Sequence, residues 1–182
     1  MSQPKFYAFL DVVVDVFYSI ILYNAFVAFR GFNLSAVLLA LSVFIMLNYW
    51  WNVRSYEHLP KHYLFDFYAI TIIMFIFAQW PNYYHDIKYF TYVLAIFFAV
   101  DAIYAGLAIL IHKESGDEKS LKFYFCAELI LAIIYLGATF TLNEITWMNV
   151  VFLFIPYFVM YGVAFKKGLV KTKFRDSGNQ PY

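Results

Sequence analysis

The sequence predicts an all-α integral membrane protein, a bundle of six transmembrane helices. Of its 182 residues, 64% are hydrophobic and only 14% are charged, whereas soluble domains average about 45–50% apolar and about 25% charged residues. A soluble core of this size cannot bury so much apolar surface. The apolar residues also fall into six runs of at least 18 residues, each long enough to cross a bilayer as a helix.

The six runs follow one another with only short polar connections between them. Aromatic groups such as Tyr49-Trp50-Trp51 mark most run ends, as is typical of the membrane–water interface. Short connections predict that neighbouring helices are antiparallel and that residues 1–182 form a single membrane domain. We predict spans at residues 6–29, 34–51, 63–80, 89–111, 121–142 and 147–165, followed by a basic tail, 166–182.

Basic residues predict the orientation of the bundle. With six spans, the two termini and the second and fourth connections share one side of the membrane. That side holds eleven Lys and Arg residues, whereas the other side holds only Arg30 and Lys88. Because basic residues accumulate on the cytoplasmic side, we expect both termini in the cytoplasm. The net charge of +1 argues against nucleic acid as a partner and leaves the lipid bilayer as the expected one.

Five acidic residues lie inside the apolar runs. A charged side chain at membrane depth costs about 2.5–3.5 kcal/mol, so these side chains must turn away from lipid toward neighbouring helices. Given the orientation, three of them fall nearer the cytoplasmic edge and two nearer the middle. The first group is Asp11, Asp66 and Glu128, and the second group is Asp15 and Asp101.

The acids have two interpretations, and both stay open at this point. In the first, they form a cavity that attracts a cation or passes protons, since intramembrane acids mark ion and proton pathways. In the second, they are hydrogen-bonding groups that hold the helices together. For the first interpretation we single out Asp15 and Asp101, because hydration at the membrane edge explains these two least.

A polar cluster is predicted at the cytoplasmic face, between the second and third runs. It consists of Arg54, His58 and His62. His58, His62 and Asp66 follow at four-residue spacing, as ligands of a metal can. Pro60 opens the third helix between the two histidines, which leaves two ligands on one face. We therefore predict no metal site, and the sequence carries no motif for a cofactor or for hydrolytic chemistry.

A proline and three glycines predict local features of the helices. Pro156 lies in the middle of the last run, where it frees the carbonyl of Phe152 and predicts a kink. Gly106, Gly137 and Gly162 fall one each in the last three runs. Small residues allow helices to approach closely in membranes, so we expect close packing among these three helices.

The start of the first run, Lys5-x-x-x-Phe9-Leu10-Asp11, resembles the Arg-x-x-x-Phe-Ser-Asp signature of the endolysosomal and prokaryotic potassium channels that lack a TVGYG filter. The aromatic end of the second run, followed by Arg54, looks like the end of the second helix in that family. The resemblance implies a six-helix chain that assembles as a homo-oligomer, a tetramer in the prokaryotic members. It also implies a structural ion pair between Lys5 and Asp11.

The same region resembles a second family, the low-temperature-requirement-A proteins. These open with an aromatic-Asp-Leu-Val pattern and carry a Trp-Trp pair on the next helix. Phe9-Leu10-Asp11-Val12-Val13 and Trp50-Trp51 are similar to these two features. This resemblance implies a membrane protein and no particular mechanism.

Three functions follow as hypotheses. The first is cation movement by a channel or a proton-coupled carrier, with Asp15 and Asp101 at its centre and the other acids as an inner vestibule. The second is a membrane scaffold or accessory subunit without transport, in which the acids are interhelical hydrogen-bonding groups. The third is a membrane enzyme with its site around Arg54, His58 and His62.

Overall fold

A computed structural model describes residues 3–29, 31–55, 84–111 and 118–169, with some helical side chains left outside the description. These residues form five α-helices and no strand: α1 (Gln3–Ala28), α2 (Leu34–Ser55), α3 (Ile87–Ile111), α4 (Glu118–Thr141) and α5 (Trp147–Lys166). Each helix matches a predicted run, with every end within four residues of the predicted one. The all-α prediction is confirmed for these ranges. The predicted span 63–80 lies outside the described residues.

Three of the helices are long and apolar enough to cross a membrane. They are the stretches Ile87–Leu110, Lys119–Thr141 and Trp147–Lys166, in α3, α4 and α5. In the described parts of α1 and α2, the apolar stretches are the shorter segments Asp15–Ala28 and Leu34–Ile45. The structure thus supports a membrane protein with three candidate spans, and it does not support the full count of six.

The helices α3 and α4 form an antiparallel hairpin with one continuous seam. Buried positions recur at alternating spacings of three and four residues, the pattern of two helices packed side by side. Near one end of the seam, Thr139 donates its hydroxyl to Thr91 at 3.1 Å. Buried residues that follow this spacing are Thr91, Leu94, Phe98, Asp101, Ala105 and Ala108 on α3, and Glu128, Leu131, Tyr135 and Ala138 on α4, and both helices have further buried residues.

The helices α2 and α5 pack beside this hairpin through polar and aromatic contacts. The Tyr135 hydroxyl of α4 donates to the Leu153 carbonyl of α5 at 2.7 Å. The Asn48 amide of α2 donates to the Tyr157 hydroxyl of α5, also at 2.7 Å. The Phe98 ring of α3 lies beside the Tyr157 ring of α5, with ring centroids 6.1 Å apart. Helix α1 contacts α2, so the described helices share one core.

Helix α5 runs through Pro156 without a break. Proline at this position leaves the Phe152 carbonyl without its usual helical donor. The hydroxyl of Tyr135 hydrogen-bonds to the next carbonyl, that of Leu153. A hydroxyl from the neighbouring helix therefore bonds to α5 one residue after the carbonyl that the proline leaves without a donor. The kink itself stays a prediction.

Only one of the three glycines lies at a tight helix contact. A Cβ added at Gly106 would lie 3.1 Å from the ring of Phe125. Among the described residues, no atom of another helix lies within 4 Å of a Cβ added at Gly137 or Gly162, and both glycines are exposed. Close approach is thus confirmed at Gly106, and the expectation was wrong for the other two because they lie on outward-facing positions of their helices.

A bulky side chain at Gly106 is expected to destabilise the hairpin. Gly106→Leu would push against Phe125 and should lower the unfolding free energy by about 1–3 kcal/mol, the usual cost of overpacking. The measurement is the thermal unfolding midpoint in detergent. Gly137→Leu is the matched control and should not lower it, because that position is open. Equal midpoints for the two variants would contradict this packing.

Candidate functional site

Two acidic side chains meet in the seam between α3 and α4. Asp101 is 8% exposed and Glu128 is 7% exposed, and their side chains hydrogen-bond to each other. Ionised carboxylates only accept hydrogen bonds. A hydrogen bond between the two groups needs a proton on one of them, and two buried carboxyl groups at one site cannot both ionise easily.

The acid pair lies near the middle of both helices. Asp101 is ten residues before the end of α3 at Ile111, and Glu128 is ten residues after the start of α4 at Glu118. At 1.5 Å per residue, both lie about 15 Å from the connected ends of the hairpin. The sequence had placed Glu128 nearer the membrane edge than Asp101. That placement was wrong, because the antiparallel register brings the two to one level.

Tyrosines from three helices surround the acid pair. Tyr18 of α1 lies close enough to Asp101 for an electrostatic interaction. Tyr124 of α4 interacts with both acids, and Tyr157 of α5 interacts with Asp101. Four helices thus contribute to the site. A phenol can donate to a carboxylate or accept from a carboxylic acid, so these hydroxyl groups suit either protonation state of the pair.

The helix register also brings α5 to the level of the acids. Tyr135 bonds to Leu153, and the Lys167 ammonium lies over the Phe123 ring. The two contacts show that α4 and α5 run antiparallel, so each step forward along α4 corresponds to one step back along α5. By that register Tyr161 lies level with Glu128. Consistently, Tyr161 interacts with Tyr124 and Tyr157.

One carboxylate oxygen of the acid pair can accept a further hydrogen bond. Glu128 Oε2 is buried and makes no hydrogen bond within the part of the chain that the structure describes. Buried polar atoms are nearly always satisfied, and an exception calls for an explanation such as function. An acceptor oxygen in this setting can take a proton, a water molecule or a small cation.

Asp15, the other acid singled out from the sequence, lies on α1 outside the seam. Its side chain is half-buried and lines a shallow groove. One turn later on the same helix, the Ser19 hydroxyl donates a hydrogen bond to the backbone carbonyl of Asp15 at 2.8 Å. Of the two acids singled out, the structure thus places Asp101 in a buried pair and Asp15 in a groove along α1. The other groove residues are Val12, Val16, Ser19, Ile20 and Tyr23.

The remaining predicted site residues are not placed. His58, His62 and Asp66 lie outside the described residues. Lys5, Asp11 and Arg54 belong to α1 and α2, with their side chains outside the description. The Lys5–Asp11 ion pair and the polar cluster at the inner face therefore stay predictions. Within the described ranges, no group of three His, Cys, Asp or Glu residues could hold a metal ion.

No protein-family model, curated protein or solved structure matches this chain. The resemblances to the potassium channels without a TVGYG filter and to the low-temperature-requirement-A proteins therefore stay predictions. The functional argument depends on the geometry of the acid pair.

Substitutions at Asp101 should separate loss of the carboxyl charge from loss of the hydrogen bond. Asp101→Asn keeps a group that can bond to Glu128, so its thermal unfolding midpoint should stay near the original. Asp101→Ala leaves the buried Glu128 without that partner and should cost about 1–3 kcal/mol of unfolding free energy. Thermal unfolding in detergent measures both. Equal destabilisation by the two variants would show that the hydrogen bond contributes nothing.

Proposed function

We propose that this chain is a multi-pass membrane protein that moves cations, with the Asp101–Glu128 pair as its proton-binding site. The single observation that carries the proposal is a hydrogen-bonded acid pair, buried at the middle of two candidate spans. Intramembrane ionisable groups mark ion and proton pathways by default. A carrier that couples its substrate to protons needs a group of this kind.

The chemistry of the pair favours proton binding over a purely structural role. Two carboxyl groups that share one site cannot both ionise easily, so the pair is suited to hold one proton and to exchange it. A structural bond between helices is served at lower cost by Ser, Thr or Asn. The same hairpin has such a bond between Thr91 and Thr139.

The proposal keeps the architecture predicted from the sequence: six spans, both termini in the cytoplasm and a homo-oligomer in the lipid bilayer. The eleven-to-two asymmetry of basic residues supports the orientation. Three helices of spanning length and composition support the membrane setting. Potassium is the second cation to test, because the resemblance at Lys5 and Asp11 implies it.

Proton flux through reconstituted protein tests the proposal. The full chain in liposomes with a pH gradient should change the signal of an internal pH dye. Asp101→Asn and Glu128→Gln should each lower the initial rate by at least about tenfold, because neither amide exchanges a proton as a carboxyl does. Potassium flux is measured in the same liposomes.

Glu144→Gln is the matched control, since Glu144 is an exposed acid in the connection between α4 and α5. Its flux should equal that of the unmodified chain. Unchanged flux of both cations in Asp101→Asn and Glu128→Gln would end the proposal.

A scaffold without transport is the second candidate. The observation in its favour is that the acid pair lies in the seam of the most closely packed pair of described helices, where it could act as an interhelical bond. This function predicts no flux from the unmodified chain. It also predicts that Asp101→Ala, which removes the interhelical bond, lowers the unfolding midpoint, whereas Asp101→Asn, which keeps a bonding group, does not.

A further inference from the structure

The two members of the acid pair have different surroundings, although they lie at one level of the bundle. Tyr18 of α1 and Tyr157 of α5 interact with Asp101, and Tyr124 of α4 interacts with both acids. Hydroxyl groups from three helices therefore lie within electrostatic range of Asp101. A phenol hydroxyl can donate a hydrogen bond to a carboxylate, so Asp101 lies where a negative charge can be stabilised.

The second oxygen of Glu128 lies in a different setting. Within the described part of the chain, Glu128 Oε2 is buried and accepts no hydrogen bond. A buried oxygen without a donor costs more free energy when its group is charged than when the group is neutral. Glu128 therefore fits this position better as a neutral carboxylic acid than as a carboxylate.

The hydroxyl of Tyr157 is held in place by residues of two other helices. The Asn48 amide of α2 donates to this hydroxyl at 2.7 Å. The centroid of the Tyr157 ring lies 6.2 Å from that of Phe44 in α2 and 6.1 Å from that of Phe98 in α3. Because the hydroxyl oxygen accepts from Asn48, its own proton can be donated to another group. Asp101 is an acceptor within range of it.

We propose that Glu128 holds the proton of the acid pair, that Asp101 is the ionised member, and that Tyr157 donates its hydroxyl proton to the Asp101 carboxylate. In this arrangement the Glu128 O–H donates to Asp101, and Glu128 Oε2 is the carbonyl oxygen of a neutral acid. Hydrogen bonds to an ionised group are stronger than those between neutral groups, so both bonds stabilise the charge on Asp101. The assignment goes beyond the proposed function, because it holds whether or not the chain moves cations.

The opposite assignment, with the proton on Asp101 and the charge on Glu128, fits the surroundings less well. It would place a charged oxygen of Glu128 in a buried position without a donor among the described residues. It would also place the hydroxyl groups of Tyr18 and Tyr157 beside a neutral acid instead of a carboxylate. With the proton on Glu128, Asp101 is the member of the pair that can bind a further proton or a cation.

Infrared spectra of the purified full chain in detergent at neutral pH test the assignment, since protonated and ionised carboxyl groups absorb at different wavenumbers. Glu128→Gln should remove the absorption of one protonated carboxyl group, because the glutamine amide can still donate to the Asp101 carboxylate. Asp101→Asn should keep that absorption, because the proton stays on Glu128. Subtracting each variant's spectrum from that of the unmodified chain separates the pair from the other acids.

A second pair of variants tests the donor. In the Glu128→Gln background, lowering the pH protonates Asp101, and the absorption returns. Adding Tyr157→Phe should make it return at a pH that is higher by at least about one unit, because Asp101 loses a hydrogen bond that favours its charged form. Tyr135→Phe in the same background is the matched control. Tyr135 is also buried, but its hydroxyl donates to the Leu153 carbonyl, so the pH should not change.

Two sets of results would overturn the assignment. The first is loss of the absorption in Asp101→Asn with retention in Glu128→Gln, or the same result in both variants. The second is an equal return pH with Tyr157→Phe and with Tyr135→Phe, which would exclude Tyr157 as the donor. None of these spectra depends on flux, so the assignment can fail while the proposed function stands, and the reverse.

Discussion

A carboxyl group in the middle of a bilayer must find a partner inside the protein, and the described structure is arranged around one such requirement. Asp101 and Glu128 meet this requirement through each other. The two side chains belong to different helices, so they can meet only if α3 and α4 keep one register. A shift of either helix by one residue would turn one of the acids away from the seam.

Other contacts hold the register that the acid pair needs. On one side of the pair, the hydroxyl groups of Thr91 and Thr139 bond across the seam. On the other side, Gly106 lets the Phe125 ring come close to the backbone of α3. The two contacts lie on opposite sides of the acids along the hairpin. The position of the pair is therefore determined by the whole seam and not by the acids alone.

Glu128 of the acid pair lies on the same helix as Lys119 and Lys122, α4, and these residues give that helix a direction. Glu128 is six residues after Lys122, about 9 Å along α4. The half-buried Tyr124 lies on this side of the pair and Tyr161 lies level with it, whereas the stacked rings of Phe98 and Tyr135 lie on the other side. Tyr124 thus lies between the acids and the end of α4 that the basic residues predict to be cytoplasmic.

The sequence by itself determined that the chain is helical and membrane-associated, and it placed five helices within four residues of their ends. Run length and apolar composition are local properties, so they can be recognised without the fold. It also indicated Asp101 as an acid that must turn inward. Only the tertiary structure decided that Glu128 is its partner, that Asp15 lies elsewhere and that Gly106 is the tight glycine. These facts depend on the register between helices, which is set by side chains far apart in sequence. The two acids are equally distant from the connection between α3 and α4 only with the helix ends that the structure gives, because the predicted start of α4 lay three residues later.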